Sequence, residues 1–190
     1  MSAERIQEPE RRYTARDYYA TPEGIRVELI DGQFYNMASP SRAHQRILME
    51  LAYMIQRYIR TNNGKCEVYP APFSVKLKKR RSDIVEPDIT VICDKSKLTK
   101  RGCEGAPDWI IEIVSPSDPG HDYITKLNLY HEAGVREYWI VDPSVKRVHV
   151  YRLEKKNFDV EVFSFRDMIS VGIYKNLTIN FAEIDDLLEE

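Results

Sequence analysis

The hydrophobic residues of this chain change their period along its length, and each change marks an element. Thr14 to Tyr19 reads as a short helix, capped by Thr14 with Asp17 three residues on in a variant of the capping box. Val27-Glu28-Leu29-Ile30 and Gln33-Phe34-Tyr35-Asn36-Met37 are strand-like runs around Asp31-Gly32, a strong hairpin signal. After Ser39-Pro40-Ser41 the period becomes helical. Ile47, Leu48, Leu51, Met54, Ile55, Tyr58 and Ile59 recur at three- and four-residue spacing and form one apolar stripe. Asn62-Asn63-Gly64 ends that helix, with Gly64 suited to a left-handed cap.

Cys66 to Tyr69 and Phe73 to Leu77 read as short strands separated by Pro70 and Pro72. A basic loop leads to the strand Ile89–Cys93, and a polar loop through Gly105 leads to the strand Trp109–Val114. Ser115 to Gly120 is a turn segment. Asp122 to Ala133 is a second helix, with Asp122 as N-cap, Ile124, Leu127 and Tyr130 along one side and Gly134 as C-cap. The strand Glu137–Asp142 stops at Pro143, Arg147–Leu153 and Val160–Phe165 form a closing hairpin, and Leu177–Leu188 supplies a last strand and a short helix. This order predicts a mixed α/β sandwich built on one central sheet. Residues 1–12 are polar and expected to be loose, leaving 13–190 as a single domain.

Composition changes this picture little. With 43% hydrophobic and 31% charged residues among 190, the chain is an ordinary globular protein. No apolar run reaches the ~20 residues that span a bilayer, and the charged start lacks the apolar centre of a signal peptide. A reducing cytoplasm is therefore the expected compartment. The three cysteines, Cys66, Cys93 and Cys103, match neither a disulfide framework nor a zinc site, and Cys93 reads as a small core residue. Net charge is −2, but Lys76, Lys78, Lys79, Arg80 and Arg81 form one basic run, and Lys95, Lys97, Lys100 and Arg101 another. Either suits a phosphate backbone; two solvated loops is the plainer reading.

The chemistry lies where the pattern breaks. Asp88, after Pro87, heads one apolar strand, and Glu112 sits inside another between Ile111 and Ile113. A carboxylate in a buried sheet is unfavourable unless a cation or hydrogen bonds compensate it. Oxygen donors of this kind suit a hard cation such as Mg²⁺; the alternative for Glu112 is a structural salt bridge. Lys126, on the following helix and sharing a face with Tyr130, can point back toward the sheet, or it can pair with Asp122 at the surface. Weaker candidates are His44 at the start of the long helix, Glu50 on its polar side, Glu28 in the hairpin, and His121. Ser115 has no nucleophile-elbow context, and no glycine-rich phosphate loop is present.

The ordered set Glu86-Pro87-Asp88-Ile89, then Gly105-Ala106-Pro107-Asp108-Trp109-Ile110-Ile111-Glu112-Ile113-Val114-Ser115-Pro116-Ser117, then Asp122 through Lys126 to Tyr130, then Ala133 to Pro143 with its Tyr138-Trp139-Ile140-Val141-Asp142-Pro143, closely resembles the Uma family of restriction-endonuclease-like proteins. That family is a branch of the PD-(D/E)XK nuclease superfamily. The segment Glu28-Leu29-Ile30-Asp31-Gly32 and His44 resemble it too, and the likeness covers roughly residues 14 to 185. It implies a restriction-endonuclease-like α/β core, a central mixed sheet flanked by helices. It also implies phosphodiester hydrolysis of nucleic acid, DNA before RNA, with Mg²⁺ as cofactor and Mn²⁺ as its substitute. Asp88, Glu112 and the Ile113 carbonyl would hold the metal. The superfamily lysine lies two residues after the glutamate, where this chain has Val114, so the resemblance makes Lys126 the relocated lysine. A homodimer is expected because superfamily nucleases often pair to cut two strands. The alternatives are a catalytically silent nucleic-acid-binding or assembly protein on the same fold, and a metal-dependent hydrolase of another substrate.

Overall fold

In the computed structural model, residues 12–77, 83–115, 121–154 and 160–188 are described. Among the described residues the architecture comprises two six-stranded sheets, a two-stranded sheet and four α-helices. The first sheet has the strand order β12-β11-β10-β9-β6-β3, where β3 is Glu67–Pro70, β6 Ile89–Ile92, β9 Trp109–Ile113, β10 Glu137–Asp142, β11 Arg147–Arg152 and β12 Val160–Ser164. Only β9 and β10 run parallel, and the other neighbours are antiparallel. The second sheet, β2-β1-β5-β4-β8-β7, joins the hairpin β1 (Val27–Ile30) and β2 (Gln33–Asn36) to β4 (Val75–Leu77), β5 (Asp83–Val85), β7 (Leu98–Thr99) and β8 (Gly102–Glu104). A small pair, β13 (Met168–Ser170) and β14 (Thr178–Asn180), leads into α4 (Phe181–Leu188).

Alternation along the strands of the first sheet divides its side chains between two cores. Ile89, Val91, Trp109, Ile111, Ile113, Trp139 and Val141 pack on one face against the stripe of α2 (Arg42–Thr61) and against α4. Ile47, Leu48, Leu51, Ile55 and Ile59 are all buried there, each contributing about 2 kcal/mol of transfer free energy. Ile92, Ile110, Val114, Tyr138 and Ile140 face the other way, onto α3 (Leu127–Ala133) and the second sheet. The second sheet was not foreseen. Its strands β5, β7 and β8 are two or three residues long and carry no period of their own; Asp83–Val85 falls inside the stretch read as a basic loop.

Local signals mostly hold. Thr14 and Asp17 close the capping box of α1 (Ala15–Tyr19). Asp31 and Gly32 both take positive φ, 52° and 76°, as a type I′ hairpin turn requires. Gly134 ends α3 at φ 91°. At the end of α2 the left-handed residue is Asn63, at φ 49°, rather than Gly64; asparagine tolerates this region because its side chain bonds locally. The second long helix also departs from expectation. It opens with a wide turn over His121–Lys126 whose bonds run i to i+5, so it is not capped by Asp122 as an α-helix, and Ile124 is left 67% exposed.

The cysteine reading is corrected. Cys66 and Cys93 form a disulfide, and Cys103 is a buried cysteine outside it. Their positions extend the register of β3 on β6, where Glu67 faces Ile92, so the two cysteines stand directly opposite one another. Among the described residues no helix is long and apolar enough to cross a membrane.

Candidate active site

Register brings the two carboxylates together. β6 pairs antiparallel with β9 through Ile89↔Ile111, Thr90↔Ile110 and Val91↔Trp109. One step further along, Asp88 stands opposite Glu112, on the face that carries the second core. Like charges directly opposite on neighbouring strands repel, so the pair needs compensation. Asp88 Oδ2 accepts the Ile113 N–H at 2.8 Å and lies 3.1 Å from His44 Nε2. Its Oδ1 takes no hydrogen bond from the described residues. The backbone N–H of Asp88 approaches Glu112 Oε2 at 3.4 Å.

Glu112 is 3% exposed, and its charge is met from the helix that follows. Lys126, 5% exposed, donates from Nζ to Glu112 Oε1 at 3.0 Å and reaches Glu28 Oε1 at 3.1 Å. The Tyr130 hydroxyl donates to the same Glu112 oxygen at 2.7 Å. Burial, reinforced by the nearby Glu112 and Glu28 charges, pushes the Tyr130 phenol well above its ordinary range, so it remains a donor. Lys126 therefore pairs with both Glu112 and Glu28. The side chains of His121 and Asp122 lie outside the described residues.

Glu28, read from the sequence as a weak candidate, is central. It is 3% exposed inside β1, accepts the Glu86 N–H at 3.0 Å and shares Lys126 with Glu112. Its signal was the one that singled out Glu112, a carboxylate inside an apolar run (Val27-Glu28-Leu29-Ile30). Glu86, unassigned by sequence reasoning, is clamped by Arg26 at 3.0 Å and by the Tyr18 hydroxyl at 3.0 Å. Burial raises Tyr18 to about 12, which keeps that hydroxyl a donor too.

A cleft of about 220 Å³ opens between the β1–β2 hairpin and the first turns of α2. Asp88, Glu112, Lys126, Glu28, His44 and Ile113 all border it, together with Arg26, Tyr35, Gln45 and Ser115. Glu50, the remaining helix candidate, is half-buried elsewhere on α2 and does not line the cleft. Val114 is buried in the second core, where a lysine would displace apolar packing. Of the proposed phosphate-binding run, Lys76 lies half-buried on β4 away from the cleft lining, and Lys78, Lys79, Arg80 and Arg81 fall outside the described residues. In the second basic run Lys95 pairs with Glu67 at 2.7 Å, Lys97 donates to the Ala106 carbonyl at 2.8 Å, and Arg101 covers the Tyr19 ring.

Asp88 and Glu112 supply oxygen donors of the kind a hard cation takes. Glu112 and Glu28 share the Lys126 ammonium, Asp88 is held by His44 and the Ile113 N–H, and one Asp88 oxygen has no hydrogen-bond partner in the described residues. Among those residues no group of three or more His, Cys, Asp or Glu side chains is gathered for metal binding. Mg²⁺ is usually held by one or two carboxylates while keeping several of its waters.

A mixed sheet carrying an opposed Asp–Glu pair at its strand ends, with a helix packed across one face, defines a restriction-endonuclease-like α/β protein. The crystal structure of a putative nuclease belonging to DUF820 from Anabaena variabilis ATCC 29413 shares that fold. Its TM-score is 0.76 and its identity 21%, over 92% of this chain and 98% of that one. The sequence matches Uma2, the family described as "Putative restriction endonuclease", over residues 14–182, and the chain belongs to that family. An uncharacterized protein of Synechocystis sp. (strain PCC 6803) is 25% identical over 125 residues, 65% of this chain. The match spans 64% of that curated relative's length.

Proposed function

We propose that this protein is a divalent-cation-dependent endonuclease that hydrolyses phosphodiester bonds of nucleic acid, DNA before RNA. Residues 13–190 would act as one domain, and a homodimer would cut both strands of a duplex. The observation that carries the reading is Lys126 Nζ at 3.0 Å from Glu112 Oε1. A lysine delivered from the helix supports the view that the ammonium missing at position 114 is supplied from a different element.

In this reading Asp88, Glu112 and the Ile113 carbonyl hold the metal. Bound Mg²⁺, or Mn²⁺ in its place, would supply Lewis-acid activation of the scissile phosphate and a more acidic water. The protein's own groups do the remaining work. His44 and the Ile113 N–H anchor one oxygen of Asp88 and leave the other available to a cation. Tyr130 and Lys126 fix the rotamer of Glu112. Lys126 stabilises negative charge developing on the phosphate or orients the attacking water, a role favoured by a site with little solvent. Glu28 holds the ammonium in place from the opposite side.

The test is cleavage of plasmid and oligonucleotide substrates in Mg²⁺, Mn²⁺ and EDTA, run beside Asp88→Ala, Glu112→Ala and Lys126→Ala. Cleavage in either metal, abolished by EDTA and by each substitution in folded protein, is the expected result. Cleavage retained by Asp88→Ala or Glu112→Ala removes the mechanism. Binding that ignores EDTA, with no nicking by the wild type, selects the catalytically silent alternative.

A further inference from the structure

Beside the basic runs noticed in the sequence, α2 offers a second basic surface. Its solvent side carries Arg42, Arg46, Met49, Tyr53, Arg57 and Arg60, all exposed. At 3.6 residues per turn these six positions fall within about 80° of arc, and Arg42 to Arg60 spans about 27 Å. None of the four arginines forms an ion pair among the described residues. Three arginines elsewhere are paired with carboxylates: Arg26 with Glu86, Arg136 with Asp108 and Glu154, and Arg166 with Asp185 and Asp186. The helix contains one acidic residue, Glu50, and none in its first turn.

This charge distribution is unfavourable for the helix itself. Arg42 and Arg46 occupy the first turns, where the macrodipole favours carboxylates and disfavours cations. An external anion would relieve both the dipole and the mutual repulsion. Met49 and Tyr53 break the stripe with exposed apolar surface, 60% and 57% accessible, and Arg57 lies 5.6 Å from the Tyr53 ring. Alternation of arginine with an aromatic suits a sugar–phosphate strand whose bases can stack. Gln45, exposed beside the stripe, also lines the cleft, so the two surfaces are continuous.

We propose that the exposed face of α2 is the track along which the phosphate backbone of the nucleic acid lies as it enters the cleft. The proposal rests on the reading that the substrate is a nucleic acid. Each arginine then neutralises a phosphate, and Tyr53 offers a sequence-independent stacking surface.

The test is fluorescence anisotropy of labelled single-stranded and duplex oligonucleotides, in Ca²⁺ and in EDTA, over a series of salt concentrations. The wild type is compared with Arg42→Gln, Arg46→Gln, Arg57→Gln and Arg60→Gln combined, and with the same four changed to lysine. Losing four phosphate contacts lowers the slope of log affinity against log salt by about 2.8 on a single strand or about 3.6 on duplex. The lysine version keeps the wild-type slope. If the combined glutamine protein does not fold, Arg46→Gln and Arg57→Gln alone each lower the slope by about 0.7 to 0.9. An unchanged slope with wild-type binding intact overturns this inference and leaves the nuclease reading standing. Transfer of the slope loss to Lys78→Gln, Lys79→Gln, Arg80→Gln and Arg81→Gln overturns it in favour of that run. A wild type that binds no oligonucleotide under either condition overturns both.

Discussion

Replacing Lys126 with methionine removes a charge from a place where two buried carboxylates share it. The substitution keeps most of the side-chain volume, so little of the effect is a cavity. Glu112 Oε1 and Glu28 Oε1 lie 3.0 and 3.1 Å from Nζ. At an effective dielectric near 20, each contact amounts to about 5.5 kcal/mol of gross attraction, much of it offset by desolvation. Breaking a buried pair by removing one partner typically costs about 3–5 kcal/mol, because the remaining charge is uncompensated. Two carboxylates lose their partner here, while Tyr130 still donates to Glu112. A loss of about 4 kcal/mol is expected, a large share of the roughly 5–15 kcal/mol that holds a domain together. Urea denaturation followed by tryptophan fluorescence measures it, since Trp109 and Trp139 are fully buried and touch edge to face. A loss below about 1 kcal/mol would refute the claim that Lys126 is the compensating charge of this cluster.

Three further perturbations report on separate features. Tyr130→Phe removes a hydroxyl donated to a carboxylate at 2.7 Å and keeps the ring; it should lower unfolding free energy by about 1.5–2 kcal/mol in the same titration. In Gly102→Ala the new Cβ would meet the Ser74 carbonyl oxygen at 2.0 Å at a φ of +131°, so a drop of about 2 kcal/mol or more should appear in thermal melts. Burial holds the His149 imidazole below its ordinary pKa, with Arg147 adding to the effect and Asp142 opposing it. The unfolded chain therefore binds this proton more readily, and stability present above about pH 6.5 is lost as pH falls. His149→Gln should flatten the difference in melting temperature between about pH 7.5 and about pH 5.5, and an undiminished difference would assign the acid sensitivity to other groups.

What could be read from the sequence was the part written in local periods. The α2 stripe, the Asp-Gly hairpin and the Gly134 cap needed only neighbours a few residues away. Asp88 and Glu112 stood out because a carboxylate in an apolar strand is an energetic anomaly wherever the strand packs. Glu28 carries the same anomaly, yet its importance depends on Lys126 arriving from residues about a hundred positions later. The Cys66–Cys93 pairing, β5 beside β1 and β8 beside β4 are set by register between distant segments, which no local pattern encodes. The i to i+5 turn at His121–Lys126 follows from its surroundings as well. That turn carries Lys126 to Glu112 and leaves Ile124 in solvent.

The central claim is that Asp88 and Glu112, opposed across β6 and β9, hold a divalent cation. Crystals soaked in Mn²⁺, with anomalous diffraction recorded at the manganese edge, test it most directly. The account predicts an anomalous peak coordinated by the Asp88 and Glu112 carboxylates and the Ile113 carbonyl, and its loss in Asp88→Asn. A map with no peak there, or with manganese bound only at other carboxylates, would contradict it.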